Sequence, residues 1–300
     1  MKLDYEVIII GGSYAGLSAA MTLGRSLRKT LIINSGKPCN RQTPHSHNFI
    51  TQDGEAPAMI AAKAMTQVMK YPDITYQTGL ATGIETISEG FRITIKEGGD
   101  FTTRKVIFAT GIADTMPAIP GFAECWGISV LHCPYCHGYE VRNNNLGLLV
   151  DAGTATDFYK LIRHWSPIIT LFTNGAKLTE EQYSLFAKRK VTVRHEHIKQ
   201  IEHDNGYMSD IHLSDGTTVT LDALFARVPF KQHCELPQAL GCTLTEMGYL
   251  QVDEMGHTNI PGIYAAGDNT TPMRSVATAT AAGNKTGAML NKDLIDEDFL

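Results

Sequence analysis

The chain has 300 residues, 43% of them hydrophobic, enough to bury a sizeable core, and its length favours about two domains over one. With 31 acidic against 26 basic residues the formal net charge is -5, so no basic field exists to hold nucleic acid or an anionic membrane surface, and neither partner is expected. Six cysteines are too few for a disulfide scaffold, which leaves the single close pair, Cys133 and Cys136, for metal or redox chemistry.

From Met1 the chain runs straight into an apolar strand pattern, with no charged segment and cleavage site to mark export and no apolar stretch of bilayer-spanning length; a cytoplasmic location is expected. Residues 5–10 form a β-branched run that breaks into glycine, residues 17–27 show helical spacing of Leu, Ala and Met, and residues 31–33 supply the next short strand. This βαβ unit closes within about 30 residues, as dinucleotide-binding units require. Its turn, Gly11-Gly12-Ser13-Tyr14-Ala15-Gly16, lies where backbone N–H groups and a helix dipole hold a pyrophosphate. Ser13 replaces the usual middle glycine; it is small, and its hydroxyl is able to donate to a phosphate oxygen. Asn34 ends the second strand, where an acid often accepts the ribose hydroxyl, and its amide oxygen is also an acceptor. The bland alternative is a tight turn with no ligand.

Segments around residues 74–76, 91–95 and 106–109 suit an antiparallel meander and a returning strand. The turn-rich stretch from Ala113 to Gly121, with Pro117 and Pro120, reads as a linker. A second βαβ unit follows, with strand 146–150, helix 154–165 and strand 168–172. The way back is placed near residues 243–248, because strand 262–266 and the turn Gly267-Asp268 look like part of a nucleotide site. The expected division is residues 1–113 plus 244–300 for one domain and 114–243 for an inserted one.

Cys133-Pro134-Tyr135-Cys136 brings two thiols close enough for a small-ring disulfide. Pro134 suits a first helical position, which puts Cys133 at a helix N-cap where the dipole favours a thiolate. Activation matters, since an unperturbed thiol is only about 3% ionised at pH 7. His137 follows the second cysteine and is suited to passing the proton of each half-reaction. Zinc, covalent haem at the literal C-x-x-C-H string, and an inert structural pair are the competing readings. Zinc lacks a second close cysteine pair and haem lacks an export signal. Cys39, Cys125, Cys234 and Cys242 read as buried small apolar residues. His45, His47 and His132 are either members of a proton relay or inert loop histidines.

Thr110-Gly111, following a strand that ends at Ala109, and the stretch from Ile260 through Gly267-Asp268 resemble two further FAD motifs of thioredoxin-reductase-like flavoproteins, and the resemblance spans nearly the whole chain. It implies an α/β fold of two Rossmann-like three-layer domains, an FAD domain made discontinuous by an inserted NAD(P)-type domain. It further implies that Gly267-Asp268 meets the ribityl and phosphate region of FAD, and that Ser275-Val276-Ala277 faces the isoalloxazine ring from a helix start. A homodimer is implied, with an inserted domain that reorients to expose Cys133. The string Cys133 to Glu140, C-x-x-C-H-G-Y-E, resembles a subgroup in which histidine replaces the usual acid after the second cysteine. By that resemblance Cys133 attacks the external disulfide and Cys136 exchanges electrons with the flavin.

The second nucleotide turn departs from the family's pattern. Asp151-Ala152-Gly153-Thr154-Ala155-Thr156 keeps only the middle glycine, and a carboxylate about 4 Å from a phosphate costs on the order of 4 kcal/mol at an effective dielectric of about 20. Phe172-Thr173-Asn174 supplies no cation for a 2'-phosphate, and Lys177 is a weak substitute. NADPH is therefore expected to bind poorly. The expected function is an FAD-dependent thiol-disulfide oxidoreductase acting on a thioredoxin-like protein or a small dithiol or disulfide, with a one-electron protein donor as one electron source. A dithiol oxidase that passes electrons to oxygen and a non-catalytic flavin-binding redox sensor are the alternatives.

Overall fold

The β-branched run Tyr5–Ile10 sits inside a parallel sheet because both of its faces are covered, which its continuous apolar character requires. In the computed structural model, which describes residues 2–300, this strand pairs with Thr30–Asn34 on one side and Gly99–Phe108 on the other, both in parallel. The helix Tyr14–Arg25 makes the crossover between the first two strands, buries Leu17, Ala19, Ala20 and Leu23, and ends before Leu27, which has a φ of 60° and is exposed.

Ile74–Thr78 corrects the sequence reading. It adds to the sheet as a parallel strand beside Thr30–Asn34, and does not belong to the meander. The intervening helix Pro57–Val68 explains this, since a parallel neighbour needs a crossover and a hairpin cannot supply one. The meander is Ala81–Ile87, Gly90–Ile95 and the N-terminal half of Gly99–Phe108. The other half of Gly99–Phe108 takes Ile263–Ala265 in parallel.

The C-terminal helix Val276–Phe299 packs on Tyr14–Arg25 through glycines. A Cβ at Gly283 would stand 2.0 Å from the Ala15 carbonyl oxygen, and one at Gly287 2.9 Å from that of Ala19. Close approach of the two backbones is thus written into the last helix.

The chain divides into two compact units: Met1–Arg41, Pro57–Ala113 and Phe230–Leu300 form the first, and Gln42–Ala56 with Asp114–Pro229 the second. Two findings differ from the expected boundaries. The return falls at Pro229/Phe230, ahead of residue 243, because Leu236, Leu240, Cys242 and Leu250 are apolar and join the core that holds Ile8, Phe91 and Ile263. Residues 42–56 leave the first unit for the second. The connecting strands Ile112–Asp114 and Phe230–Gln232 pair with each other.

The second unit repeats the plan of the first. Its parallel sheet has the order Thr192–Arg194, Ile169–Phe172, Leu146–Leu149, Ala223–Ala226, Val130–Leu131. A three-stranded antiparallel sheet, Ile198–Asp204, Tyr207–Leu213 and Thr218–Thr220, accompanies it. Parallel strands joined by helices, with an antiparallel meander inserted, make both units Rossmann-like. Among the described residues no helix is long and apolar enough to cross a membrane.

Candidate active site

In the first unit, Gly11 adopts φ 112° and turns the chain from its strand into the helix Tyr14–Arg25. A Cβ there would stand 2.2 Å from the Ala109 carbonyl oxygen, and one at Gly16 1.8 Å from that of Gly11, so both positions exclude a side chain. Ser13 is the helix N-cap but makes no side-chain cap, and the first turn carries no acid. The helix start is therefore free of any built-in negative group, as an anion site at a helix N-terminus must be. Ala15, which follows, lies beneath Gly267, whose φ is 99°.

The other first-unit residues gather at the same strand ends. Asn34 Nδ2 donates to the Tyr76 hydroxyl at 2.8 Å and its Oδ1 accepts from Gly36 N at 3.3 Å, which fixes the orientation of the amide. Gly111 has a φ of 64° and open space above it. The Thr110 hydroxyl is buried and has no protein hydrogen-bond partner. A buried hydroxyl left so is costly, on the order of 1–3 kcal/mol, and calls for a polar ligand atom. Asp268 Oδ2 lies 3.8 Å from Arg274 Nε and 3.7 Å from Cys39 Sγ. Cys39 is exposed, contrary to its reading as a core residue; Cys125 and Cys242 are buried and Cys234 is half-buried. Ser275 caps the C-terminal helix by accepting from Thr278 N at 3.1 Å, and places Val276 and Ala277 in an acid-free first turn. These features fit a flavin dinucleotide: an uncapped helix start for the pyrophosphate, an unpaired hydroxyl, and a second helix start for the ring.

Sequence reasoning missed Gln232 and Asn269. Asn269 is fully buried and donates to the Phe108 carbonyl at 2.8 Å, while Gln232 Nε2 donates to the Asn269 and Gly248 carbonyls at 3.0 and 2.9 Å. They tie the Gly267-Asp268 turn to the returning strand. Nothing local marks them, since each is an isolated amide.

In the second unit, Cys133 and Cys136 form a disulfide with Cα atoms 5.3 Å apart. Pro134 opens the helix Pro134–His137 and Cys133 is its N-cap, but the helix has only four residues, so its dipole amounts to a single turn of N–H groups. Cys136 N and His137 N both donate to the Cys133 carbonyl at 3.2 Å. Gly138 is obligatory: a Cβ would meet the Pro134 carbonyl at 2.5 Å and the Trp165 indole at 2.9 Å. Tyr135 stands edge-on to Trp165 with ring centres 5.5 Å apart and is exposed. His132 stacks on Trp126 at 5.8 Å.

The segment Gln42–Ala56 brings a histidine pair to this site. His47 stands edge-on to His137 with ring centres 6.4 Å apart, and His45 lies 6.5 Å from His47. Glu140 Oε1 is 3.6 Å from His47 Nε2, and Asp53 Oδ1 is 3.8 Å from His47 Nδ1. Burial, and secondarily the charge of His47, push His137 down to about 4, so it is neutral at pH 7.

The second nucleotide turn is closed by its own side chain. Asp151 Oδ1 accepts from Thr154 N and from Thr154 Oγ1, each at 2.9 Å, and Asp151 N donates back to Thr154 Oγ1 at 3.3 Å. These bonds close the turn that leads into the helix Ala155–Ile162, whose N-cap is Thr154 and whose first turn carries Asp157. Beyond Phe172, Asn174 Oδ1 is committed to Ile198 N at 2.8 Å, and Lys177 is exposed. These residues do not fit a nucleotide pyrophosphate. Among the described residues no three His, Cys, Asp or Glu side chains are arranged to hold a metal ion.

The profile of the pyridine nucleotide-disulphide oxidoreductase family matches residues 5–150 and 164–284. The thioredoxin reductase tcpT of Claviceps purpurea is 31% identical over 304 residues, covering 97% of this chain and 94% of that protein. The crystal structure of the putative thioredoxin reductase TrxB from Bacillus anthracis superposes with a TM-score of 0.94 at 29% identity, covering 98% of this chain and 99% of that one. An oxidoreductase from Agrobacterium tumefaciens gives a TM-score of 0.90 at 36% identity, with 98% and 99% covered. The chain thus belongs to the pyridine nucleotide-disulphide oxidoreductase family, on its thioredoxin-reductase-like side, and is an FAD-dependent disulfide oxidoreductase.

Proposed function

We propose that the protein passes electron pairs between an external dithiol or disulfide and FAD through Cys133 and Cys136, and that NADPH is not its electron donor. The observation that carries the second half is the Asp151 carboxylate lying on Thr154 N and Oγ1, where a pyrophosphate would need those groups unoccupied. With that entry closed, the simplest source of electrons is the substrate itself. A substrate dithiol is oxidised to its disulfide, two electrons pass through the sulfur pair, and dioxygen is the final acceptor. The reverse direction, toward a thioredoxin-like protein, requires a separate one-electron protein donor.

The cofactor supplies an electron-pair acceptor that hands electrons on. The protein's own residues do the rest. Gly11, whose N–H is donated to the Ile33 carbonyl, makes the turn; Gly12, Ser13, Ala15 and Gly16 offer backbone and hydroxyl donors to the pyrophosphate, Asn34 offers an acceptor to the ribose, and Thr110 offers its unpaired hydroxyl. Gly267-Asp268 and the helix start at Ser275-Val276-Ala277 receive the rest of the flavin. Cys133 takes the external thiol, Cys136 leaves as thiolate, and His137, neutral at pH 7, handles the proton. A homodimer in the cytoplasm completes the proposal.

Anaerobic mixing of the yellow holoprotein with dithiothreitol and, separately, with micromolar NADPH tests it. The dithiol is expected to bleach the flavin while NADPH leaves it oxidised. Rapid full bleaching by NADPH removes the proposal's second half, and no bleaching by any dithiol removes the first.

A further inference from the structure

His47 stands some ninety residues before the disulfide in sequence, on a segment that leaves the first unit between Arg41 and Pro57 and belongs to the second. That segment is anchored with care. Gln42 Nε2 donates to the Ala123 carbonyl at 3.1 Å, and Gly127, at φ 78°, lacks a Cβ where one would press on Thr43 Oγ1 at 2.9 Å. Its two ends are pinned to each other by Ser46 N donating to the Glu55 carbonyl at 2.8 Å and Gly54 N donating to the Ser46 carbonyl at 2.9 Å. Asp53 Oδ1 accepts from Asn48 N at 2.7 Å, which sets that carboxylate beside the His47 ring.

The result is an ordered row of groups leading outward from the dithiol. His137 adjoins Cys136 in the chain, His47 stands edge-on to His137, and Glu140, Asp53 and His45 lie around His47, the two carboxylates near its Nε2 and Nδ1. The two imidazoles stand edge to face with ring centres 6.4 Å apart, so a proton passing between them would cross by way of one intervening water. Both flanking carboxylates are solvent-exposed, Asp53 at 70% and Glu140 at 39%, so the row ends in bulk water. A structural histidine has no need of two carboxylates and a second imidazole.

We propose that His47 is the proton-relay residue of the disulfide, acting through His137 and exchanging protons with solvent by way of Asp53, Glu140 and His45. This rests on the reading of Cys133 and Cys136 as the exchanging pair. In the step concerned, an external thiol loses its proton and its sulfur bonds to Cys133 Sγ. The Cys133–Cys136 bond breaks, its electron pair stays on Cys136 Sγ, and that sulfur takes up one proton. One proton is released and one consumed, and the relay connects the two. His137, held neutral by its surroundings, does not store that proton and needs a neighbour to supply it. His47 positions and recharges His137; it does not touch the reacting sulfurs.

The test is the opening of the disulfide itself in the holoprotein. Wild type, His47→Gln and His47→Ala are mixed with dithiothreitol, quenched at intervals with an alkylating agent, and scored by mass for alkylated Cys133 and Cys136, with flavin absorbance followed in parallel. Both variants are expected to open on the order of ten- to a hundredfold more slowly at unchanged flavin content, and added imidazole is expected to restore much of the rate in His47→Ala. Opening within twofold of wild type overturns the relay. So does slowing that imidazole does not relieve, which assigns His47 a purely structural part in holding the segment. If opening depends on His47 as described but the flavin never bleaches, the relay stands and the proposed electron path falls.

Discussion

The carboxylate of Asp151 and the hydroxyl of Thr154 cap each other: Asp151 Oδ1 lies 2.9 Å from both Thr154 N and Thr154 Oγ1, and the hydroxyl oxygen in turn accepts from Asp151 N at 3.3 Å. A phosphate at this helix start would have to displace that carboxylate and then sit beside its charge. The contrast with the first unit is chemical: the helix at Tyr14 has the same place in the plan and no acid in its first turn, whereas the helix at Ala155 carries Asp157 there and follows a turn held by Asp151.

Replacing Asp151 with glycine removes both obstacles. Asp151→Gly is expected to raise NADPH affinity by about ten- to a hundredfold, less than the bare Coulomb figure because the site is exposed and screened, at the cost of about 1 kcal/mol for the lost cap. Isothermal titration of the variant and wild type with NADPH reads the gain. Equal weak binding by both would show that the nucleotide is excluded for another reason.

The sulfur pair has separable roles. Cys136→Ser is expected to retain FAD and lose turnover with dithiols by more than a hundredfold, and, when given a disulfide in place of a dithiol, to keep one half of it as a mixed disulfide on Cys133 while the other half leaves as thiolate, detectable by mass. A non-catalytic flavin-binding sensor would show no such dependence on Cys136.

Contact between the first and last helices is expected to set flavin retention. In Gly283→Ala the new Cβ would lie 2.0 Å from the Ala15 carbonyl, so the C-terminal helix must shift off the helix that follows the Gly11–Gly16 turn. A loss of about 1–3 kcal/mol is expected, with flavin released during gel filtration. Gly36→Ala, at φ 76° with nothing within 4 Å, meets only backbone strain and is expected to keep its flavin. Melting curves and the ratio of flavin to protein absorbance distinguish the two.

His257 ties stability to pH. It lies 2.8 Å from a carboxylate oxygen of Asp253 and 2.8 Å from one of Asp293; burial pulls its pKa down, but the hydrogen bonds and charges of Asp293 and Asp253 outweigh that and leave it raised. A raised histidine contributes stability that is complete below its unfolded value, near 6.5, and is lost as pH rises through the folded value. Asp253 and Asp293 are shifted down, so their share is lost only in acid, as pH falls through their folded values. His257→Gln is therefore expected to lower the unfolding midpoint more at pH 5.5 than at pH 8.5. The reverse ordering would contradict the assignment, and the effect is on the order of 0.5 kcal/mol, because the imidazole is partly exposed.

What could be read in the chain was local. The strand–turn–helix at Gly11–Gly16 and the Cys133–Cys136 disulfide are each legible within a few residues, and so is the acid at Asp151 that closes the second turn. Non-local partnerships were hidden: His47 meets His137 only because residues 42–56 fold with a unit that begins seventy residues later, and nothing in a polar loop announces that. Ile74–Thr78 has the alternation of an antiparallel strand, and its parallel placement follows from the helix before it. The return into the first unit was misplaced because the apolar residues between Leu236 and Leu250 show no strand or helix period long enough to reveal which core they join.

Electrons must move between the sulfurs and the flavin for the protein to work as proposed. Anaerobic stopped-flow mixing of wild type, Cys133→Ser and Cys136→Ser with dithiothreitol measures this, with absorbance followed in the flavin band. Wild type is expected to bleach fully with two electrons per flavin while neither variant bleaches on the same timescale; bleaching of all three at one rate would show that the dithiol is not on the path.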